Sequence, residues 1–109
     1  MGRNSKDNSL DKYVEVLKIS VRYFDYLQHP RMRITLSSKY RDNQNDAVKY
    51  VSKVKKTLDK IDKLHKDIVL KEFFGQAKER YWWIPYYSKS SYYRIRNEAI
   101  HNFLEEFSK

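Results

Sequence analysis

The last third of the chain contains the sequence Tyr87-Ser88-Lys89-Ser90-Ser91-Tyr92-Tyr93-Arg94-Ile95-Arg96-Asn97-Glu98-Ala99. Ser88 is of a residue type that caps helix N-termini, so we expect a helix from Ser88 to about Phe107. Helical spacing places an apolar stripe on one side: Tyr92, Ile95, Ala99, Phe103 and Phe107. The opposite side carries Ser90, Tyr93, Arg94, Asn97 and His101, with Lys89 on the flank. This helix therefore has one side for a small core and one side for a ligand.

The composition of the whole chain favours helices. At 109 residues there is room for one modest domain, or for a small domain and one long helix. Two glycines and two prolines are few, whereas ten tyrosines are many. Few chain breakers and many long side chains indicate helices joined by short connections, so we predict an all-α fold.

The charge and the missing motifs restrict the function. A formal net charge of +9 attracts polyanions, and nucleic acid is a better match than a membrane surface or an acidic protein. The chain has no cysteine, no glycine-rich phosphate loop and only three scattered histidines. We therefore predict no enzymatic activity, no cofactor and no metal site. An apolar run long enough for a bilayer or a signal peptide is absent, which predicts a cytoplasmic protein.

The chain divides into three predicted parts. Residues 1–8 are polar and expected to be disordered, and residues 9–44 form an N-terminal helix followed by a linker. That helix begins at Asn8 or Ser9 and ends before Pro30. Its inward face is predicted to consist of Tyr13, Val16, Leu17, Ser20, Tyr23, Phe24 and Leu27. Residues 45–109 form a long helix and a C-terminal helix-turn-helix domain.

The long helix is predicted from Asn45 or Asp46 to Phe74, where Gly75 stops it. Its apolar positions alternate steps of four and three, as in a heptad seam: Ala47, Val51, Val54, Leu58, Ile61, His65 and Ile68. Two interpretations are open. The seam packs inside its own domain, or it is a self-association surface. A short aromatic helix over 76–83 and a turn then lead to the last helix, which is the order of a helix-turn-helix unit.

In such a unit the first turns of the last helix enter the major groove. Ser90, Arg94 and Asn97 are types that hydrogen-bond base edges, whereas Lys89 and Tyr93 more often contact phosphate. The alternative is that these are ordinary surface residues of a terminal amphipathic helix. Arg96 leans toward the core edge and is expected to pair with Glu79 or another acid.

Residues 87–103, with their Tyr-Ser-Lys-Ser-Ser-Tyr-Tyr start and the later Glu98-Ala99 and Phe103, resemble the C-terminal signature of ArpU/RinA-like phage transcriptional regulators. The resemblance implies a helix-turn-helix similar to region 4 of sigma factors and a function in phage transcription control. It also implies double-stranded DNA as ligand. The DNA-facing positions would be Lys89, Ser90, Ser91, Tyr93, Arg94 and Asn97.

A different class of function remains open. The aromatic residues around Trp82 and Trp83 suit a protein interface, stacking on unpaired bases, or the core of a domain short of leucine. The candidate partner surface consists of Trp82, Trp83, Val51, Val54, Leu58 and Ile61. In this alternative the chain is a mobile-element module that binds RNA polymerase or another regulator. In either case we predict a homodimer, with the first helix and the seam as partner surface.

Overall fold

A computed structural model describes residues 2–28 and 41–109, and within these ranges it has four helices and no strand. The helices are α1 (Gly2–Gln28), α2 (Arg41–Lys60), α3 (Lys63–Phe73) and α4 (Lys89–Phe107). The predicted all-α class is confirmed. Most of the predicted linker, residues 29–40, lies outside the described residues.

Helix α4 is the centre of the domain, because its contacts with the other three helices are the most extensive of any helix. It begins as the sequence predicts: the Ser88 hydroxyl oxygen accepts a hydrogen bond from the Ser91 N–H at 3.3 Å. Tyr92, Ala99 and Phe103 have no exposed surface, while Ile95 and Phe107 lie at the edge of the core. The inward stripe of the last helix is therefore confirmed.

Helix α1 differs from the prediction at its start and in its rotation. It begins at Gly2 instead of Asn8 or Ser9, because nothing between positions 3 and 8 breaks a helix. Its buried face is centred on Val16, Ile19 and Ser20. Of the residues predicted to point inward, three are substantially exposed, and they are Leu17, Phe24 and Leu27. The helix has more apolar positions than its own core uses.

The prediction of a single long helix over 45–74 is wrong. The chain forms two helices instead, with a break at Ile61 and Asp62, and the first of them starts at Arg41. Asp62 has an extended backbone (φ −55°, ψ 144°), and its carbonyl accepts the Lys66 N–H at 2.8 Å. Asp62 occupies the N-cap position of α3, although its side chain makes no cap hydrogen bond, and the break lets α3 turn onto α4.

The heptad-like seam packs inside the domain. Val51, Val54, Leu58 and Ile61 are all buried against other helices, and Ile68 continues the same core on α3. His65, the polar member of the seam, is partly buried beside the amide of Asn102 at 2.8 Å. The interpretation as internal packing is therefore the one that matches the fold, and these side chains present little free surface.

Residues 74–88 connect α3 to α4 without the predicted short helix over 76–83. Gly75 has φ +72°, the left-handed conformation that ends helices, so the predicted stop is confirmed. The following residues form turns, in which the N–H groups of Tyr86 and Tyr87 both donate to the Trp83 carbonyl. Pro85 supplies no N–H donor for a helix here. The helix-turn-helix arrangement stays a prediction.

Candidate nucleic-acid interface

The outer face of α4 presents the three residues predicted to contact base edges side by side. Ser90, Arg94 and Asn97 are exposed and lie on the face opposite the buried stripe. Among the side chains that the structure describes, the acid paired with Arg94 is Glu98, whose carboxylate lies 3.5 Å from the guanidinium. Both side chains are more than half exposed, so this pair contributes at most about 1 kcal/mol and leaves Arg94 available.

A cleft of about 610 Å³ runs beside this face. Its walls come from the N-terminal half of α1 (Ser9 and Lys12), from His65 at the start of α3, and from α4 itself. The Lys12 ammonium lies 3.2 Å from Nδ1 of His101, so α1 adds a positive charge next to the outer face of α4. The tertiary fold thereby widens the basic polar surface beyond the one helix that the sequence singled out.

The other three predicted DNA-contacting residues have different positions. Lys89 is exposed at the first turn of α4, where exposed backbone N–H groups also favour a phosphate. Ser91 is partly buried, and its N–H is used by the Ser88 cap. Tyr93 is also partly buried: its ring packs 5.8 Å from Trp83 and beneath the Arg96 guanidinium at 4.6 Å. Tyr93 therefore packs against its own domain more than it faces solvent.

The start of α4 is held in place by a polar cluster around Glu72 that the sequence did not single out. The hydroxyls of Tyr92 and Tyr13 both donate to the Glu72 carboxylate, the latter at 3.1 Å. Arg96 lies 3.7 Å from the same carboxylate, between the rings of Tyr13 and Tyr93. The acid partner of Arg96 is therefore Glu72, not Glu79. Its sequence signal was a lone carboxylate within the apolar run 68–74.

The environment of this cluster disfavours ionised tyrosines. Burial raises the pKa of the Tyr92 phenol far above its usual range, and the hydrogen bond to Glu72 and its negative charge raise it further. Burial also raises the pKa of Tyr13, with the Glu72 charge as the next cause and Arg96 acting in the opposite direction. Both phenols therefore stay protonated donors at neutral pH, which keeps α1, α3 and α4 joined at one carboxylate.

The aromatic cluster belongs mainly to the core. Trp83 is buried and stacks flat on Tyr92, with ring centroids 4.6 Å apart. Trp82 is partly buried, with the Lys71 ammonium over its ring at 4.6 Å. As candidate interface residues these two tryptophans offer little free surface. The exposed large side chains of this region are Tyr81, Ile84 and Tyr86.

A second basic surface runs along α2. Four lysines on successive turns of one face line a shallow groove closed by the end of α4: Lys49, Lys53, Lys56 and Lys60. Among the described residues, the carboxylate that lines this groove is Glu106, which is paired with Lys109 at 3.2 Å. The lysines therefore form a net positive track, which the sequence analysis did not predict, although their spacing of four, three and four residues is visible in the sequence.

In the part of the chain that the structure describes, no group of histidine and carboxylate side chains is arranged to hold a metal ion. No described helix has both the length and the apolar character that crossing a bilayer requires. No family model matches the chain, and no curated protein and no solved structure matches it either. The resemblance to ArpU/RinA-like regulators thus stays a prediction.

Proposed function

We propose that the protein binds double-stranded DNA through the N-terminal half of α4 and acts as a transcription regulator of a phage or related mobile element. The observation that carries the proposal is the exposed row of Ser90, Arg94 and Asn97 on a helix whose other side is the centre of the core. A rigidly held helix can present hydrogen-bonding side chains to base edges in the major groove. The phage context rests on the resemblance of residues 87–103.

Two surfaces would contribute to DNA binding in different ways. Arg94 and Asn97 supply base-edge contacts, which discriminate between sequences. The α2 lysine track and Lys89 supply phosphate contacts, which raise affinity for any duplex and make it depend on salt. Nothing in this division requires Tyr93 to contact DNA.

The test begins with selection of duplexes from a randomised pool by the full-length protein, followed by fluorescence anisotropy on the selected and on random duplexes. Arg94→Ala is expected to weaken binding to the selected duplex by about 1–3 kcal/mol, roughly 5- to 150-fold, and to leave random DNA nearly unaffected. Arg94→Lys keeps the charge but loses the bidentate fork, so it should behave similarly.

Arg22→Ala is the matched control, because it removes one exposed arginine charge from α1, away from the start of α4. Replacing Lys49, Lys53, Lys56 and Lys60 by glutamine should weaken binding to both duplexes equally. It should also reduce the slope of the logarithm of the binding constant against the logarithm of the salt concentration by roughly three to four units. Failure of the selection to enrich any sequence would refute the proposal. Equal effects of Arg94→Ala and Arg22→Ala would refute the assigned role of α4.

The alternative is a protein-interaction module that binds RNA polymerase or another regulator. The observation that favours it is the exposed group of Tyr81, Ile84 and Tyr86, which replaces Trp82 and Trp83 as the available aromatic surface. Such a partner would bind with little dependence on salt and would be lost on Tyr86→Ala. Retention of that partner by Tyr86→Ala, with loss on Arg94→Ala, would exclude this surface.

A further inference from the structure

Helix α1 has a second apolar stripe on the side away from its own core. The exposed positions step along the helix by four, three, four and three, and they are Leu10, Val14, Leu17, Val21 and Phe24. We call them the α1 stripe. Leu10 is 64% exposed and Val21 62% exposed, so neither is used by the fold of the single chain. Alternating steps of four and three are the 3.5-residue period of a coiled-coil seam.

We propose that the α1 stripe is the dimer interface, and that it pairs with the same stripe of a second copy in a parallel, in-register coiled coil. This inference is independent of DNA binding, because the stripe lies on α1 and the evidence for it is the exposure, spacing and residue types of that helix.

The residue types at the two kinds of seam position favour a two-stranded pair. Val14 and Val21 occupy one class of position, and Leu10, Leu17 and Phe24 occupy the other. β-Branched residues at position a with leucine at position d are the combination that favours parallel dimers over higher oligomers. Gln28 continues the register at the next a position, where a polar side chain pairs with its own copy only in a parallel arrangement.

The charges next to the seam agree with this orientation. Asp11, Lys18 and Asp25 are exposed along one flank, whereas on the opposite flank Ser20 is buried in the chain's own core and Tyr13 donates to Glu72. In a parallel pair the two charged flanks lie on opposite sides of the seam and do not meet. An antiparallel pair centred on the stripe would instead bring the two Lys18 side chains close together. A mixed flank also gives no preference for a strongly acidic or basic partner.

The exposed area is sufficient for a specific dimer. The α1 stripe and the adjacent Leu27 expose roughly 500 Å² of apolar surface per chain, near the upper end of patches on monomeric proteins. Two copies would bury about 1,000 Å² of it, which meets the minimum expected of a biological interface before the flanks are counted. A two-fold pair uses one surface twice, so no second patch is needed.

The first experiment is sedimentation equilibrium of the full chain without DNA, from micromolar to near-millimolar concentrations. The wild type should change from 13.4 kDa to twice that mass. The double variant Leu10→Ser/Val21→Ser should raise the dimer dissociation constant about 100-fold or more, because four apolar side chains leave the interface. Glu15→Ser/Arg22→Ser is the matched control: it leaves the net charge unchanged, lies off the stripe and its flanks, and should dimerise as the wild type does.

Orientation is tested with single cysteines, since the chain has none of its own. Val14→Cys should form an intermolecular disulfide under mild oxidation, because a parallel register places the two copies of this position side by side. Glu15→Cys, its exposed neighbour off the stripe, should not. A monomeric wild type would refute the dimer. A dimer unaffected by the double serine variant would refute the surface, and one without the Val14→Cys disulfide would refute the register.

The outcomes remain separable from those of the proposed function. A monomer that still enriches one DNA sequence would refute the proposed dimer and support the proposed DNA-binding function. A dimer that enriches no sequence would support the dimer and refute the DNA-binding function.

Discussion

Replacing Tyr92 with phenylalanine tests whether the Glu72 cluster holds the start of α4 in place. The substitution keeps the ring that stacks on Trp83 and removes only the hydroxyl that donates to Glu72. Hydrogen bonds to charged groups contribute about 1.5–3 kcal/mol. Because Glu72 keeps Tyr13 and Arg96 as partners, we expect a loss near the lower end, about 2 kcal/mol.

The measurement is urea unfolding followed by circular dichroism, with Tyr13→Phe as the matched comparison. Tyr13 donates to the same carboxylate over a longer distance, 3.1 Å, and its side chain is more exposed, so its hydroxyl should contribute about half as much, about 1 kcal/mol. A double-mutant cycle of Tyr92→Phe with Glu72→Gln should give a coupling free energy above about 0.5 kcal/mol. A Tyr92→Phe loss below that value, or a cycle with no coupling, would show that the hydroxyl and the carboxylate do not act together.

Three further effects should be measurable in the same assay. Stability should fall as the pH rises above 10, because unfolded tyrosines ionise there while Tyr92, Tyr13 and Tyr50, whose pKa values burial raises, stay protonated in the fold. The pKa of Tyr92 is raised far above its usual range, so Tyr92→Phe should make the decline less steep. Gly75→Ala should cost about 1 kcal/mol from backbone strain alone, since a Cβ there meets no atom within 4 Å, and an asparagine at this position should recover part of the loss. Ser88→Ala should cost about 1 kcal/mol through loss of the α4 cap, and Ser88→Asp should retain most of the stability; equal losses for both would argue against capping.

Signals that act within one helix were readable from the sequence. The cap at Ser88, the stop at Gly75 and the buried side of α4 were all predicted correctly, because each depends on residues within a few positions of one another. The outward row of Ser90, Arg94 and Asn97 follows from the same periodicity.

Helix boundaries and rotations that depend on distant contacts were predicted less well. The apolar seam continues past Asp62 and predicts one helix, whereas the chain breaks there and α3 packs on α4, a contact that local spacing does not show. Lys66 lies beyond the break and pairs with Asp59 at 2.7 Å. The 76–83 segment has helical propensity, but Trp83 stacks on Tyr92 and the chain turns there.

The sequence alone therefore determines the all-α class and which side of α4 is buried, because local hydrogen bonding and helical periodicity suffice for both. The basic charge follows from the composition. Tertiary packing decides the rest. α1 carries apolar residues around more than half of its circumference, so periodicity alone cannot say which of them face the core. The contacts of Val16 and Ile19 with the other helices choose one side and leave the α1 stripe exposed. Likewise, Glu72 gains its three partners from α1 and α4 only when residues up to 59 positions apart in sequence meet.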